Sequence, residues 1–271
     1  MRNLANRGGD AARMPRGIEL WRGRSRFNNE RIVVLASLFS KNEKTGPMIQ
    51  VWIIRQDRNP VDSMMQGKEN ATCGDCPLQH KASGGFGLCY VNKLFTIGVW
   101  QAWKRGGYPK FNPLKHSKYF INRSLRWGAY GDPAMFPVAD LSHIFRLVRG
   151  WTGYTHAWRH PFAQDWKPYL MASVETPEGQ KIAKDGGWRT FRIRRADEPL
   201  MGDERKCPAS PEGGQRAICE GCLACDGSAR GANLADLSII IHGKAGNAVR
   251  FTRLSVAGRF AESPSLALAA A

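Results

Sequence analysis

The chain has 271 residues, 42% of them hydrophobic, with nine tryptophans and a formal charge of +17. That apolar content supplies a real core, so the seven cysteines are not needed to staple a small scaffold. No apolar run approaches the ~18 residues of a membrane span, and the N-terminus lacks the apolar stretch of an export signal.

A cytoplasmic chain with no membrane partner is therefore expected, and nothing in it indicates an oligomeric state. A charge this positive points to a polyanion, of which nucleic acid is the commonest. Residues 1–26 carry Arg2, Arg7, Arg13, Arg16, Arg22, Arg24 and Arg26 against Asp10 and Glu19, with glycines between them. They read as a disordered basic arm, which is taken to span residues 1–30. Residues 31–260 read as a single α/β domain, and 261–271 as a disordered small-residue tail.

Short apolar or β-branched runs predict strands at Met48–Ile54, Leu125–Tyr130, Trp151–Thr155, Tyr169–Val174, Trp188–Ile193 and Leu237–Ile241. A helix is expected over Val138–Val148, where Val138, Leu141, Ile144, Phe145 and Val148 recur at helical spacing. A second should open with Thr176 as N-cap and Pro177 in the first position, ending before Gly186-Gly187. Ile97–Arg105 is a third. Alternating strands and helices with short connections imply a largely parallel sheet. About six strands are too few for a closed eight-stranded barrel, so a partial or irregular (β/α) barrel is expected.

The cysteines form two groups, in inserts at 70–90 and 205–227. Cys73, Cys76 and Cys89 are spaced C-x2-C-x12-C; Cys207, Cys219, Cys222 and Cys225 are spaced C-x11-C-x2-C-x2-C. In a reducing compartment such spacings favour metal ligation over disulfides. The quartet can close a tetrahedral site for structural zinc or hold an iron–sulfur cluster, and His242 could replace one cysteine. The trio leaves one coordination position open. Either His80 completes a zinc knuckle, or a [4Fe–4S] cluster keeps an open iron for substrate or S-adenosylmethionine. Gly84, Gly85 and Gly87 would let the backbone approach such a cluster.

Other polar residues collect at C-terminal strand ends, where parallel α/β folds assemble their sites. Asp132, in Gly-Asp-Pro, is either a turn residue or a catalytic carboxylate. His156 and His160 are candidate acid/base groups or phosphate contacts. Glu175 is a catalytic candidate or a charge at a helix start. Trp158 with Arg159, and Arg194 with Arg195, belong to a stretch that interleaves aromatic rings with cations. That pattern suits single-stranded or flipped-out nucleotides when the rings are exposed, and a core when they are not.

Taken in order, Lys44-Thr45-Gly46-Pro47, Thr72-Cys73, Cys89-Tyr90, Gly131-Asp132, Gly153-Tyr154-Thr155 and His242-Gly243 resemble the gene product 88 family of phages and mobile elements. The likeness spans roughly residues 40–245. It implies a phage protein working in the cytoplasm of a bacterial host. Such proteins look like distant relatives of radical S-adenosylmethionine enzymes, whose partial barrels carry a three-cysteine [4Fe–4S] loop after the first strand. Cys73, Cys76 and Cys89 match that loop by position, though not its C-x3-C-x2-C spacing. The resemblance implies radical chemistry on nucleic acid or nucleotides. A second likeness is to zinc-containing base-exchanging transglycosylases of the tRNA-guanine type. There Cys219, Cys222, Cys225 and His242 would match the zinc site, with Asp132 as the catalytic carboxylate. A third reading is a non-catalytic zinc-bearing nucleic-acid-binding protein.

Overall fold

Residues 17–24, expected within a disordered arm, instead form an ordered strand in the computed structural model. The structure describes residues 14–85, 87–228, 234–243 and 246–260. The first thirteen residues of the expected arm, and the expected tail at 261–271, lie outside the described residues. Strand β1 (Gly17–Arg24) buries Ile18 and Leu20 and leaves Arg22 and Arg24 nearer solvent, so its arginines decorate one edge of a sheet. It pairs antiparallel with β2 (Arg31–Ser37), whose Ile32–Ala36 run is wholly buried, and β2 pairs antiparallel with β3 (Ile49–Arg55).

From β3 onward the pairing turns parallel. β4 (Ser124–Tyr130) lies parallel to β3, and β5 (Gly150–Thr152) parallel to β4, completing a sheet of order β1-β2-β3-β4-β5. A second five-stranded sheet holds β6 (Tyr154–Thr155), β7 (Met171–Val174), β8 (Thr190–Arg194), β9 (Arg205–Lys206) and β10 (Leu237–Ile240). Its order is β6-β7-β8-β10-β9 and every pairing in it is parallel. The expected α/β class therefore holds.

The run expected as one strand over Trp151–Thr155 is divided between the two sheets at Gly153. Its N–H donates to the Cys225 carbonyl at 2.9 Å, and its own carbonyl accepts from Met171 N at 3.0 Å. A Cβ at this position would meet Leu170 Cδ2 at 2.4 Å and Trp127 Cβ at 2.9 Å, so only glycine lets the chain pass. Parallel segments thus follow one another in chain order: β3, β4, the β5–β6 run, β7, β8 and β10.

The helix expected over Val138–Val148 is a 3-10 turn, Val138–Leu141, followed by a short α-helix, Ser142–Leu147. The Thr176 cap is as expected: its hydroxyl accepts from Gly179 N at 3.0 Å, and the helix runs Pro177–Asp185. The third helix is longer than expected, Lys93–Lys104, with Asn92 as its cap. The main core gathers around Trp127, Phe136 and Trp166, with Phe136 and Trp166 edge to face at 5.1 Å. Trp151, Trp158 and Trp188 belong to the same core. Most of the aromatic stretch considered as a stacking platform is therefore packed interior, where ring burial gives the larger return.

Candidate functional site

Period-two alternation along the parallel strands points one row of side chains into a cavity of ≈ 330 Å³. Trp52 of β3, Arg126 of β4, Tyr154 of β6, Ser173 of β7, Phe191 of β8 and Ile239 of β10 all line it. So do all four cysteines of the quartet. The quartet, expected in a structural insert, therefore also forms a wall of this cavity.

That wall is firmly attached. Cys219 N and Glu220 N donate to the carbonyls of Lys44 and Thr45 at 3.0 and 3.2 Å, docking the one-turn helix Cys219–Cys222 on the loop before β3. Cys207 N donates to the Ser238 carbonyl of β10 at 2.8 Å. Buried Arg189 binds Asp226 Oδ1 at 3.0 Å and the carbonyls of Ala224 and Ala235 at 3.0 and 2.9 Å. Burial raises the thiol pKa values of Cys207, Cys219 and Cys225, and neighbouring quartet sulfurs add to the effect in each. All seven cysteines are free. Among the described residues no group of three or more Cys, His, Asp or Glu side chains is closed around a point that would hold a single metal ion.

His242 reaches the same cavity, but its ring nitrogens are engaged elsewhere. Nδ1 donates to the Ile240 carbonyl at 3.2 Å, leaving Nε2 to accept from Lys44 Nζ at 3.1 Å. Burial, then Lys44, lowers its pKa and keeps the ring neutral. The ring stacks on Tyr90 at 6.0 Å rather than joining the sulfurs as a ligand.

The trio lies past the C-terminal end of β3. Cys73 closes the short helix Asn70–Cys73, and Cys89 N donates to the Leu78 carbonyl at 2.9 Å, folding the loop back on itself. Gly84, Gly85 and Gly87 have φ of 70°, 85° and 60°, so this glycine run makes the turns leading to Cys89. The thiols of Cys73 and Cys89 are both pushed up, first by burial and then by negative neighbours that include Cys76. The three cysteines of the trio are thus near enough to influence one another's charge. Lys93, paired with Glu69 at 2.7 Å, opposes the rise at Cys89.

The histidine that meets the trio is His156, eighty residues beyond Cys76 in the chain. It hydrogen-bonds Cys76, and its Nε2 lies 2.8 Å from Glu175 Oε1. Burial pulls its pKa down, but the Cys76 and Glu175 charges outweigh this and raise it well above the ordinary imidazole value. His156 also lines the cavity, so it stands between the trio and the enclosed space.

Asp132 holds this histidine in place. Its carboxylate accepts from Ala134 N at 2.9 Å, Thr155 Oγ1 at 3.0 Å and His156 N at 2.8 Å. Burial raises its pKa, against the lowering effect of those hydrogen bonds. This is a buried corner residue with its oxygens occupied, and not the exposed nucleophile that base exchange requires. Asp132, His156 and Glu175 are thus brought together, as strand-end residues of β4, β6 and β7.

The proposed nucleic-acid contacts are not assembled. Trp158 is 3% exposed and its indole N–H donates to the Ser173 carbonyl, so it presents no face to a base. Arg159 packs over the Trp158 ring at 3.8 Å. Arg194 is buried and bound to Glu212 and Ser238, and Arg195 pairs with Asp197 and Glu198. His160 pairs with Asp75 at 3.0 Å. Arg126, Lys44 and Tyr90 were not singled out as site residues. The available signal was a charged Arg126 inside an otherwise apolar strand, since a buried charge needs a reason. Among the described residues no helix is long and apolar enough to cross a membrane. Compared with family models, with curated proteins and with solved structures, the chain matches none.

Proposed function

We propose that the chain is a radical S-adenosylmethionine-like enzyme built on a partial (β/α) barrel. In this reading Cys73, Cys76 and Cys89 hold a [4Fe–4S] cluster that also takes S-adenosylmethionine. The observation that carries it is the succession of parallel segments β3, β4, β5–β6, β7, β8 and β10 in chain order, with the trio after the first of them. A set of three cysteines with no fourth suits a cluster that keeps one iron open. When bound, such a cluster supplies one-electron chemistry to a substrate in the adjoining cavity.

The chain's own residues have definable parts. Lys93 sits where it offsets negative charge on the trio. His156, held by Asp132 through its backbone and by Glu175 through its ring, both lines the cavity and feels the charge of Cys76. It is placed to hold a proton at Nδ1 or Nε2 beside the reacting space. The apolar part of the wall, Phe191, Ile193, Leu237, Ile239 and Ile241, limits the access of water, which protects reactive intermediates. The quartet takes zinc or a second iron–sulfur cluster, both of which accept four thiolates.

Anaerobic purification followed by iron, sulfide and zinc analysis tests this reading. Iron and sulfide are expected, and a Cys73→Ala, Cys76→Ala, Cys89→Ala chain should lose the trio's share while keeping the metal of the quartet. Zinc alone, with no charge-transfer absorption after reconstitution, overturns the proposal.

A further inference from the structure

Among the described residues the four buried guanidinium groups all have carboxylate partners, whereas half-buried Arg126 has none. Arg55 pairs with Glu30 and Asp57, Arg189 with Asp226, Arg192 with Glu204 and Glu198, and Arg194 with Glu212. Arg126, in the cavity wall, has no carboxylate among the described residues. Its Nε has no hydrogen-bond partner, and Nη2 has only the Tyr90 hydroxyl at 3.4 Å. Lys44 lines the same cavity and meets His242 Nε2, again with no carboxylate among the described residues. No Asp or Glu is among the described residues that line this space.

A charge partly withdrawn from water without a counter-charge is penalised, so two half-buried cations facing one cavity favour a compensating anion there. The rest of the lining mixes apolar and aromatic side chains with neutral polar ones, Asn42, Gln50, Asn92, Thr152 and Ser173, two histidines and the four cysteines. A volume of ≈ 330 Å³ falls in the range of small-molecule pockets. It is too small for a folded nucleic acid or a peptide segment of any length.

We propose that this cavity binds a small organic anion. Its carboxylate or phosphate lies between Arg126 and Lys44, and its apolar or aromatic body packs on Tyr90, Tyr154 and Phe191. Tyr90, 43% exposed, stacks on His242 at the rim and gives the ligand's body a face to slide against. The Lys44 carbonyl receives Cys219 N, so the loop that presents the ammonium is fixed to the quartet segment. The proposal deepens the enzymatic reading by naming its substrate class, but binding does not depend on a cluster at the trio.

Calorimetric titration of the full-length protein, as purified and without reductant or S-adenosylmethionine, tests it with phenyl phosphate, phenylacetate and benzyl alcohol. At least one of the two anions should bind, and benzyl alcohol should bind weaker by about tenfold or more, the worth of a charge-assisted hydrogen bond. The stronger of the two identifies the head group as phosphate or carboxylate. Arg126→Gln should reduce anion affinity by about the same factor. Lys44→Gln, at the cavity rim, reports independently if Arg126→Gln does not fold. Metal content is measured on each variant. Equal binding of benzyl alcohol, no anion binding, or anion affinity unchanged in both variants overturns the proposal. So does an Arg126→Gln chain that sheds the quartet's metal while keeping its anion affinity, which would make Arg126 a counter-ion of the thiolates.

Discussion

Replacing Arg189 with alanine is expected to destabilise the protein by about 3–5 kcal/mol, the range found when one member of a buried ion pair is removed. The substitution takes the guanidinium away from buried Asp226 and from the carbonyls of Ala224, Gly227 and Ala235. Those groups flank Cys225, so the loss should also free the quartet segment from the cavity wall. Urea unfolding would read the first effect, and the rate at which a thiol reagent modifies the quartet would read the second. Arg189→Lys should recover little, because one ammonium cannot reproduce a planar fork that reaches a carboxylate and three carbonyls. A change within about 0.5 kcal/mol, typical of an uninvolved surface site, would contradict this assignment.

Asp132→Ala is the second large effect. Three donors lose their acceptor at once: Ala134 N, Thr155 Oγ1 and His156 N. Leaving buried donors unsatisfied is expected to cost about 3 kcal/mol. The consequence for function is displacement of His156 from Glu175 and Cys76. Asp132→Asn, which keeps the shape but turns one acceptor into a donor, should fall between the wild type and alanine. The chemical shifts of the His156 ring, followed by NMR in Asp132→Asn, separate a positioning role from general loss of structure. A His156 environment unchanged in a stable Asp132→Ala protein would rule the role out.

The extent to which the sequence foretold this architecture follows from which signals are local. Strands β4, β7, β8 and β10 were legible because their apolar runs are short and end at glycine, proline or charge. The Thr176-Pro177 helix start was legible because capping is a contact between near neighbours. β1 was hidden because its arginines made the segment look like a basic arm, and because the register shift between Glu19 and Trp21 breaks the alternation between buried Ile18 and Leu20 and exposed Arg22 and Arg24. β2 carries a clear buried-strand signal, Ile32–Ala36, but sits directly beside that basic segment. The trio's loop consequently follows the third strand in the chain, although it is the first of the parallel series.

For the site, spacing divides the cysteines into two sets, and members of each set influence one another's thiol pKa. It could not place the quartet on a cavity, because that depends on Arg189 and the Lys44 loop, which are distant in sequence. Nor could spacing reveal that His156 rather than His80 meets Cys76. The rings of 151–191 were ambiguous for a similar reason. Whether a tryptophan stacks a base or fills a core is decided by which sheet face it occupies, and Trp158 and Trp166 face inward.

The central claim, that the trio at the head of the parallel series supports S-adenosylmethionine chemistry, is tested most directly by product analysis. Protein reconstituted anaerobically with iron and sulfide is reduced with dithionite in the presence of S-adenosylmethionine, and 5′-deoxyadenosine is quantified by chromatography. The account predicts its formation by the wild-type chain and its loss in Cys76→Ala. A protein with a full iron and sulfide complement that forms none, or formation that persists in Cys76→Ala, would contradict it.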